Sequence, residues 1–267
     1  MNLIIAPGKE KAILRQHPWI FSGAVMRLVG NPQDGDLVDV VSSNGSWLAT
    51  GLYQANESII CKVLTFDIHE ADELKRDCRA FFRRLISSSI NYRRQLGFFN
   101  PSDNTNVFRL IHAEGDFIPA LVCDWYNGVL VMQAHSVGIH RLFPLFTELF
   151  QELLGDALVS VFDKSSATVP GGCQDGYLFG IEPDEWEISE HGNRLLINFF
   201  EDRRLASSST SVRTVFLCLS WQTANVSSTV SAIPAASLSP LFAVTPPTSK
   251  LSTLAERLLI YATATFN

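Results

Sequence analysis

The sequence has only five cysteines in 267 residues, which is not a disulfide scaffold, and it has no Cys-x-x-Cys pair. Its apolar runs fall well short of a membrane span, and the opening Met-Asn-Leu-Ile-Ile-Ala lacks a basic n-region and a signal-peptide core. These absences lead to the expectation of a reduced, cytoplasmic protein that needs no membrane. Another scarcity is local. Residues 203–267 hold no Gly, Asp, His or Met, although 21 of those 65 residues are Ser or Thr. An α/β domain uses Gly and Asp for its turns and caps. A solvated low-complexity tail is no better a description, because Val215-Phe216-Leu217-Cys218-Leu219 is too apolar for one.

What is present is a globular composition, 46% apolar and 18% charged, with a net charge of −6 that argues against a generic nucleic-acid binder. The average hides three segments. Residues 1–100 carry +2, residues 101–202 carry −12 and residues 203–267 carry +4.

In the first segment, Val38-Asp39-Val40-Val41, the turn at Asn44-Gly45 and Ile59-Ile60-Cys61-Lys62-Val63-Leu64 read as short strands with a tight hairpin. Residues 10–17 read as a short helix stopped by Pro18. A small, mostly β barrel follows. Lys9, Lys11, Arg15 and His17 cluster around the helix, where cations could hold phosphates or could simply form a solvated face.

Residues 72–96 read as one helix, with Leu74, Cys78, Phe81, Phe82, Leu85 and Ile86 at helical spacing and a basic face of Arg76, Arg79, Arg83, Arg84, Arg93 and Arg94. That face suits either an RNA backbone or solvent. Beyond it, Phe108 to His112, Ala120 to Asp124, residues 129–133 and Leu158 to Phe162 read as strands. A helix over 142–154 is stopped by Gly155, and a hairpin lies near 186–199. His112, His135, His140 and His191 are scattered over different elements, so no metal set has credible spacing and no metal is expected. Gly171-Gly172 lacks the Lys-Ser/Thr of a phosphate loop.

Several strings carry a resemblance. Gly8-Lys9-Glu10-Lys11, His17-Pro18-Trp19-Ile20-Phe21-Ser22-Gly23-Ala24 and Gly35-Asp36-Leu37-Val38-Asp39-Val40 resemble a PUA domain. The variant is the one that opens the large-subunit ribosomal RNA (cytosine-5) methyltransferases dependent on S-adenosylmethionine (SAM). Thr105-Asn106-x-x-Arg109-Leu110 and Glu114-x-Asp116-x-x-Pro119-x-Leu121-Val122-x-Asp124-x-Tyr126 are similar to that family's central domain. Glu190-x-Gly192 and Ile197-Asn198-x-x-Glu201 are similar to the hairpin leading into its SAM domain. The resemblance implies that Lys9, Lys11, Arg15 and His17 face RNA, ribosomal RNA in this family, while Trp19 and Phe21 are assigned to the core. Arg109, Glu114 and Asp116 are expected to fix their hairpin by an internal ion pair.

The resemblance stops after Glu201, where the family continues Gly-Gln-Lys-Thr-Gly-Phe-Phe-Leu-Asp-Gln-Arg. A permitted codon set for residues 202–213, read two bases later, spells Pro-Lys-Thr-Gly-Phe-Phe-Leu-Asp-Gln-Arg-Glu. The same shift over residues 224–237 permits Lys-Arg-Val-Leu-Asp-Cys-Phe-Ser-Tyr-Thr-Gly-Gly-Phe, which resembles a strand ending in Asp and a Gly-rich SAM turn. A frameshift near codon 202 is inferred.

The expected organisation is therefore α+β. A PUA-like pseudo-barrel spans 1–70, a linker helix 71–98 and a central α+β domain 99–201. An irregular out-of-frame tail over 202–267 replaces a Rossmann SAM domain. The family's chemistry is attack of a Cys on the base, which then accepts a methyl group from SAM. Its catalytic Cys lies beyond the break. Cys61, Cys78, Cys123, Cys173 and Cys218 match no catalytic position and read as small apolar residues. The chain is expected to bind RNA, to take no cofactor and to be catalytically inactive, with no catalytic residue assigned. The competing readings are a non-catalytic adaptor working through residues 1–200, and a diverged enzyme whose tail folds by itself.

Overall fold

The computed structural model describes residues 1–200 apart from 56, 101–103 and 170. The reading of residues 202–267 as an irregular, out-of-frame tail lies outside the described residues.

The chain begins with a curled six-stranded sheet. Its strands are β1 (Asn2–Ile5), β2 (Trp19–Phe21), β3 (Val25–Val29), β4 (Leu37–Val41), β5 (Trp47–Tyr53) and β6 (Ile59–Thr65), in the order β2-β6-β5-β4-β1-β3. All pairs are antiparallel except β1 with β4. Alternation gives the curled sheet its dry inner face: Leu3 and Ile5, Val38 and Val40, and Cys61 and Val63 point inward onto Ile13 of the short helix α1 (Lys11–Leu14). The hairpin turn falls at the Asn-Gly pair read from sequence, with Gly45 at φ +91°. Helix α1 is shorter than the expected 10–17. Gln16 at φ +61° has already left helical geometry, two residues before Pro18.

Residues 72–96 do not form one helix. Two helices, α2 (Ile68–Arg76) and α3 (Cys78–Gln95), meet at Asp77, whose backbone is not helical and whose carboxylate accepts the Ala80 N–H at 3.0 Å. An aspartate able to cap starts a new helix where apolar periodicity alone would continue the old one. Asp67 caps α2 in the same way, accepting from the His69 and Glu70 amides.

The second sheet contains β7 (Val107–His112), β8 (Leu121–Tyr126), β9 (Val129–Ala134), β10 (Ser160–Asp163) and β11 (Gly176–Gly180), in the order β11-β10-β9-β8-β7. Strands β9 and β10 are parallel, so the chain crosses over between them through α4 (Val137–His140) and α5 (Phe143–Leu154). Phe81, Phe82 and Ile86 of α3 pack with Phe146 and Phe150 of α5 in a core that also covers one face of the sheet. On the other face a hairpin of β12 (Trp186–Glu190) and β13 (Asn193–Ile197) buries Ile188 and Ile197 with Phe162 and Phe199. Strand β11 was not read from the sequence. Its Gly176 and Gly180 ends conceal a pairing with β10 that is tight enough for a Cβ at Gly180 to meet the Val159 carbonyl oxygen at 2.0 Å.

Asp39 joins β4 to its neighbours, accepting from Thr50 Oγ1 at 2.6 Å, Trp47 Nε1 at 3.3 Å and Lys75 Nζ of α2 at 2.8 Å. Burial alone would raise its pKa, but the bonds from Lys75, Thr50 and Trp47 outweigh burial and hold it below the usual carboxylate value. A depressed folded pKa gives stability that is present above the unfolded value, about 3.9, and lost as pH falls through the lower folded one. In thermal melts between pH 6 and pH 2.5, Asp39→Asn is expected to remove part of the acid sensitivity. Identical acid profiles for the two proteins would exclude this role.

Candidate nucleic-acid interface

The edge strand β2 sets out the candidate surface. Ile20 points into the barrel at 2% exposure, so Trp19 and Phe21 point out, at 37% and 49%. This corrects their assignment to the core: the strand alternates, and only its central residue is buried. Lys9, Lys11, Arg15 and His17 are exposed on the segment that leads into this strand. No ion pair with a described residue involves Lys9, Lys11 or Arg15. The His17 ring lies 6.1 Å from Trp19, edge-on, and 6.2 Å from Phe21. Its Nδ1 accepts the Trp19 N–H at 3.2 Å. Cations and outward aromatic rings thus share one margin of the barrel.

The aromatic margin is anchored to the central domain. Trp19 Nε1 donates to Glu114 Oε1 at 2.7 Å, and Lys62 Nζ donates to the His135 carbonyl at 2.9 Å. Burial lowers the Lys62 pKa against the opposing pull of Glu114 and Glu57. Desolvation, with the Lys62 charge, also lowers that of His135. The exposed Phe117, at φ +61°, sits in the turn that follows Glu114. Phase within β2 was the signal that could have exposed Trp19 and Phe21 from sequence. Nothing local announces Lys62 or Glu114, which arrive through contacts between distant segments.

The internal ion pair expected of Arg109, Glu114 and Asp116 forms with other partners. Arg109 grips Asp124 on the neighbouring strand, with Nε to Oδ1 at 2.8 Å and Nη2 to Oδ2 at 3.0 Å. Asp116 is held by Arg93 of α3, with Nη2 to Oδ2 at 2.8 Å, and accepts the His112 amide at 2.6 Å. Glu114 is committed to Trp19.

The arginine face of the helices is largely neutralised from within. Arg79 and Arg83 pair with Glu148 and Glu152 of α5 at 2.6–3.1 Å, and Arg84 pairs with Glu70 and Glu73 at 3.0 and 3.3 Å. Arg93 is buried against Asp116. These groups hold α3 to its neighbours, whereas Lys9, Lys11 and Arg15 of the α1 margin form no ion pair with a described residue. No helix among the described residues is long and apolar enough to cross a membrane.

Comparison with known proteins places these features. Residues 3–66 match a family model described as a PUA-like domain. Ribosomal RNA large subunit methyltransferase I of Klebsiella pneumoniae is 33% identical over 202 residues, covering 74% of this chain and 48% of the relative. The Yersinia pseudotuberculosis protein of that name is 34% identical over 203 residues, covering 74% and 49%. The chain thus spans about half the length of the curated relatives it matches. Among solved structures, a Streptococcus mutans chain described as a SAM-dependent methyltransferase superposes with a TM-score of 0.58 at 16% identity, covering 74% of this chain and 48% of that one. Another, a methyltransferase complexed with SAH, gives the same values. At that identity the likeness is one of fold.

Proposed function

We propose that this chain, with a PUA-like domain at residues 3–66 and homology to ribosomal RNA large subunit methyltransferase I over some 202 residues, binds RNA without transferring a methyl group. It uses the family's RNA-binding portion, with ribosomal RNA as the target class. The observation that carries this reading is the margin formed by Lys9, Lys11, Arg15 and His17 beside Trp19 and Phe21. Phosphates meet the charges of Lys9, Lys11 and Arg15 there, which pair with no described residue, and unstacked bases meet exposed rings.

The inactive half of the reading rests on the sequence after Glu201. No glycine follows Gly192, so residues 202–267 lack the Gly-rich turn at which a SAM-type cofactor approaches backbone. The family's use of SAM therefore does not extend to this chain, and no residue is assigned to the cofactor.

Fluorescence anisotropy with a single-stranded ribosomal RNA oligonucleotide tests the RNA surface. Lys11→Ala with Arg15→Ala should weaken binding and flatten the plot of log K against log salt by about 1.4, since each phosphate contact contributes about 0.7 on a single strand. An unchanged slope would place the RNA elsewhere. No RNA binding at all would favour the adaptor reading.

A further inference from the structure

Three elements distant in sequence bring chemically distinct side chains together away from the basic margin. His140 ends α4, Asp163 ends β10, and Cys173 lies in the loop before β11. His140 Nε2 and Asp163 Oδ2 are 2.7 Å apart, and one donor atom from each of the three residues lies within 4.8 Å of the others. The Asp163 side chain is 6% exposed. Its second oxygen, Oδ1, is fully buried and has no hydrogen-bond partner among the described residues.

A buried carboxylate oxygen without a donor is costly, and an ion is one of the few things that satisfies it. The neighbouring cation does not serve it. Lys164 Nζ pairs with Asp175 at 3.2 Å and donates to the carbonyls of Phe199 and Phe200 at 2.9 and 3.0 Å.

We propose that His140, Asp163 and Cys173 form a site for a divalent transition-metal ion of the zinc type, with water as the fourth ligand. One imidazole, one carboxylate and one thiolate make a borderline-soft donor set, which suits zinc and not magnesium or calcium. Bonds of about 2.0–2.3 Å at tetrahedral angles set donor atoms about 3.3–3.8 Å apart. The His140–Asp163 contact therefore opens slightly and Cys173 draws in. The loop has room for this: Gly171 and Gly172, both at positive φ, have nothing within 4 Å of a would-be Cβ. The ion staples the loop to α4 and β10, and so steadies the approach to β11. Sequence spacing hides the set, because its members stand 23 and 10 residues apart on unrelated elements. Cysteine identity hides it too. Cys61 and Cys123 are buried apolar residues as expected, while Cys173 is half-buried and Cys78 exposed.

The test uses the full, untagged chain stripped with EDTA and dialysed, then titrated with Zn²⁺ by calorimetry and with Co²⁺ by absorption. One ion per chain is expected. Cobalt should show tetrahedral d–d bands and a thiolate charge-transfer band that vanishes in Cys173→Ser and persists in Cys78→Ser. His140→Ala and Cys173→Ser should each weaken Zn²⁺ binding by more than about 10-fold. Should Asp163→Asn fail to fold, these two variants still decide the matter. The absence of a bound ion, or a thiolate band that survives Cys173→Ser, overturns the proposal.

Discussion

Arg109→Ala should lower the free energy of unfolding by about 3–5 kcal/mol, read from urea denaturation followed by tryptophan fluorescence. The size follows from what remains behind. Asp124 is 2% exposed, and Arg109 closes both of its oxygens. Burial pushes the Asp124 pKa above the usual carboxylate value, while the guanidinium pulls the other way. Without Arg109 the carboxylate is a buried, unpaired charge. A folded pKa raised above the unfolded value of about 3.9 means stability that is present below that value and lost as pH rises toward the folded one. The deficit of the variant should therefore shrink between pH 7 and pH 4. Arg109→Met combined with Asp124→Leu should recover most of the loss, since a pair replaced by apolar side chains leaves no orphaned charge. A loss under about 1 kcal/mol for Arg109→Ala would mean that the pair behaves like a surface bridge.

Gly138→Val should cost about 3 kcal/mol through overpacking, at the upper end of the usual range. A Cβ at Gly138 would lie 2.8 Å from the Gly35 Cα and 3.2 Å from Leu52 Cδ1, and a Cβ at Gly35 would lie 2.7 Å from the Gly138 Cα. Gly35 sits between β3 and β4 and Gly138 within α4, so the barrel and the central domain touch backbone to backbone. The obstruction is main chain, which cannot swing aside like the end of a long side chain. Gly35 also has φ +86°, so a side chain there adds strain. Thermal melting of Gly138→Val beside Gly138→Ala measures the effect. Equal stability of both variants and the parent would show that the contact yields freely.

Much of this architecture was legible because alternation and helical spacing act locally. The hairpin at Asn44-Gly45, the strands β7 to β10 and the helix ended by Gly155 all follow from patterns within a dozen residues. The helix break at Asp77 was missed because a capping aspartate competes with a periodicity that runs straight past it. Strand β11 was missed because its identity comes from β10, and Gly-Tyr-Leu-Phe-Gly has too little alternation to announce it. At the candidate surface, charge clustering pointed to Lys9, Lys11, Arg15 and His17. The strings containing Trp19 and Phe21 drew attention as family markers and were placed in the core, although the phase of a three-residue edge strand turns both outward. The partners of Asp116, Glu114 and Asp163 are fixed by tertiary contacts 23 to 95 residues away, which no local pattern encodes.

Binding of RNA by a chain that does not bind SAM is the central claim. Its most direct test is a calorimetric titration of SAM into the same preparation that is shown by anisotropy to bind ribosomal RNA. The account predicts RNA affinity that falls steeply with salt and no heat from SAM up to millimolar ligand. Saturable SAM binding in the micromolar range by this 267-residue chain would contradict it.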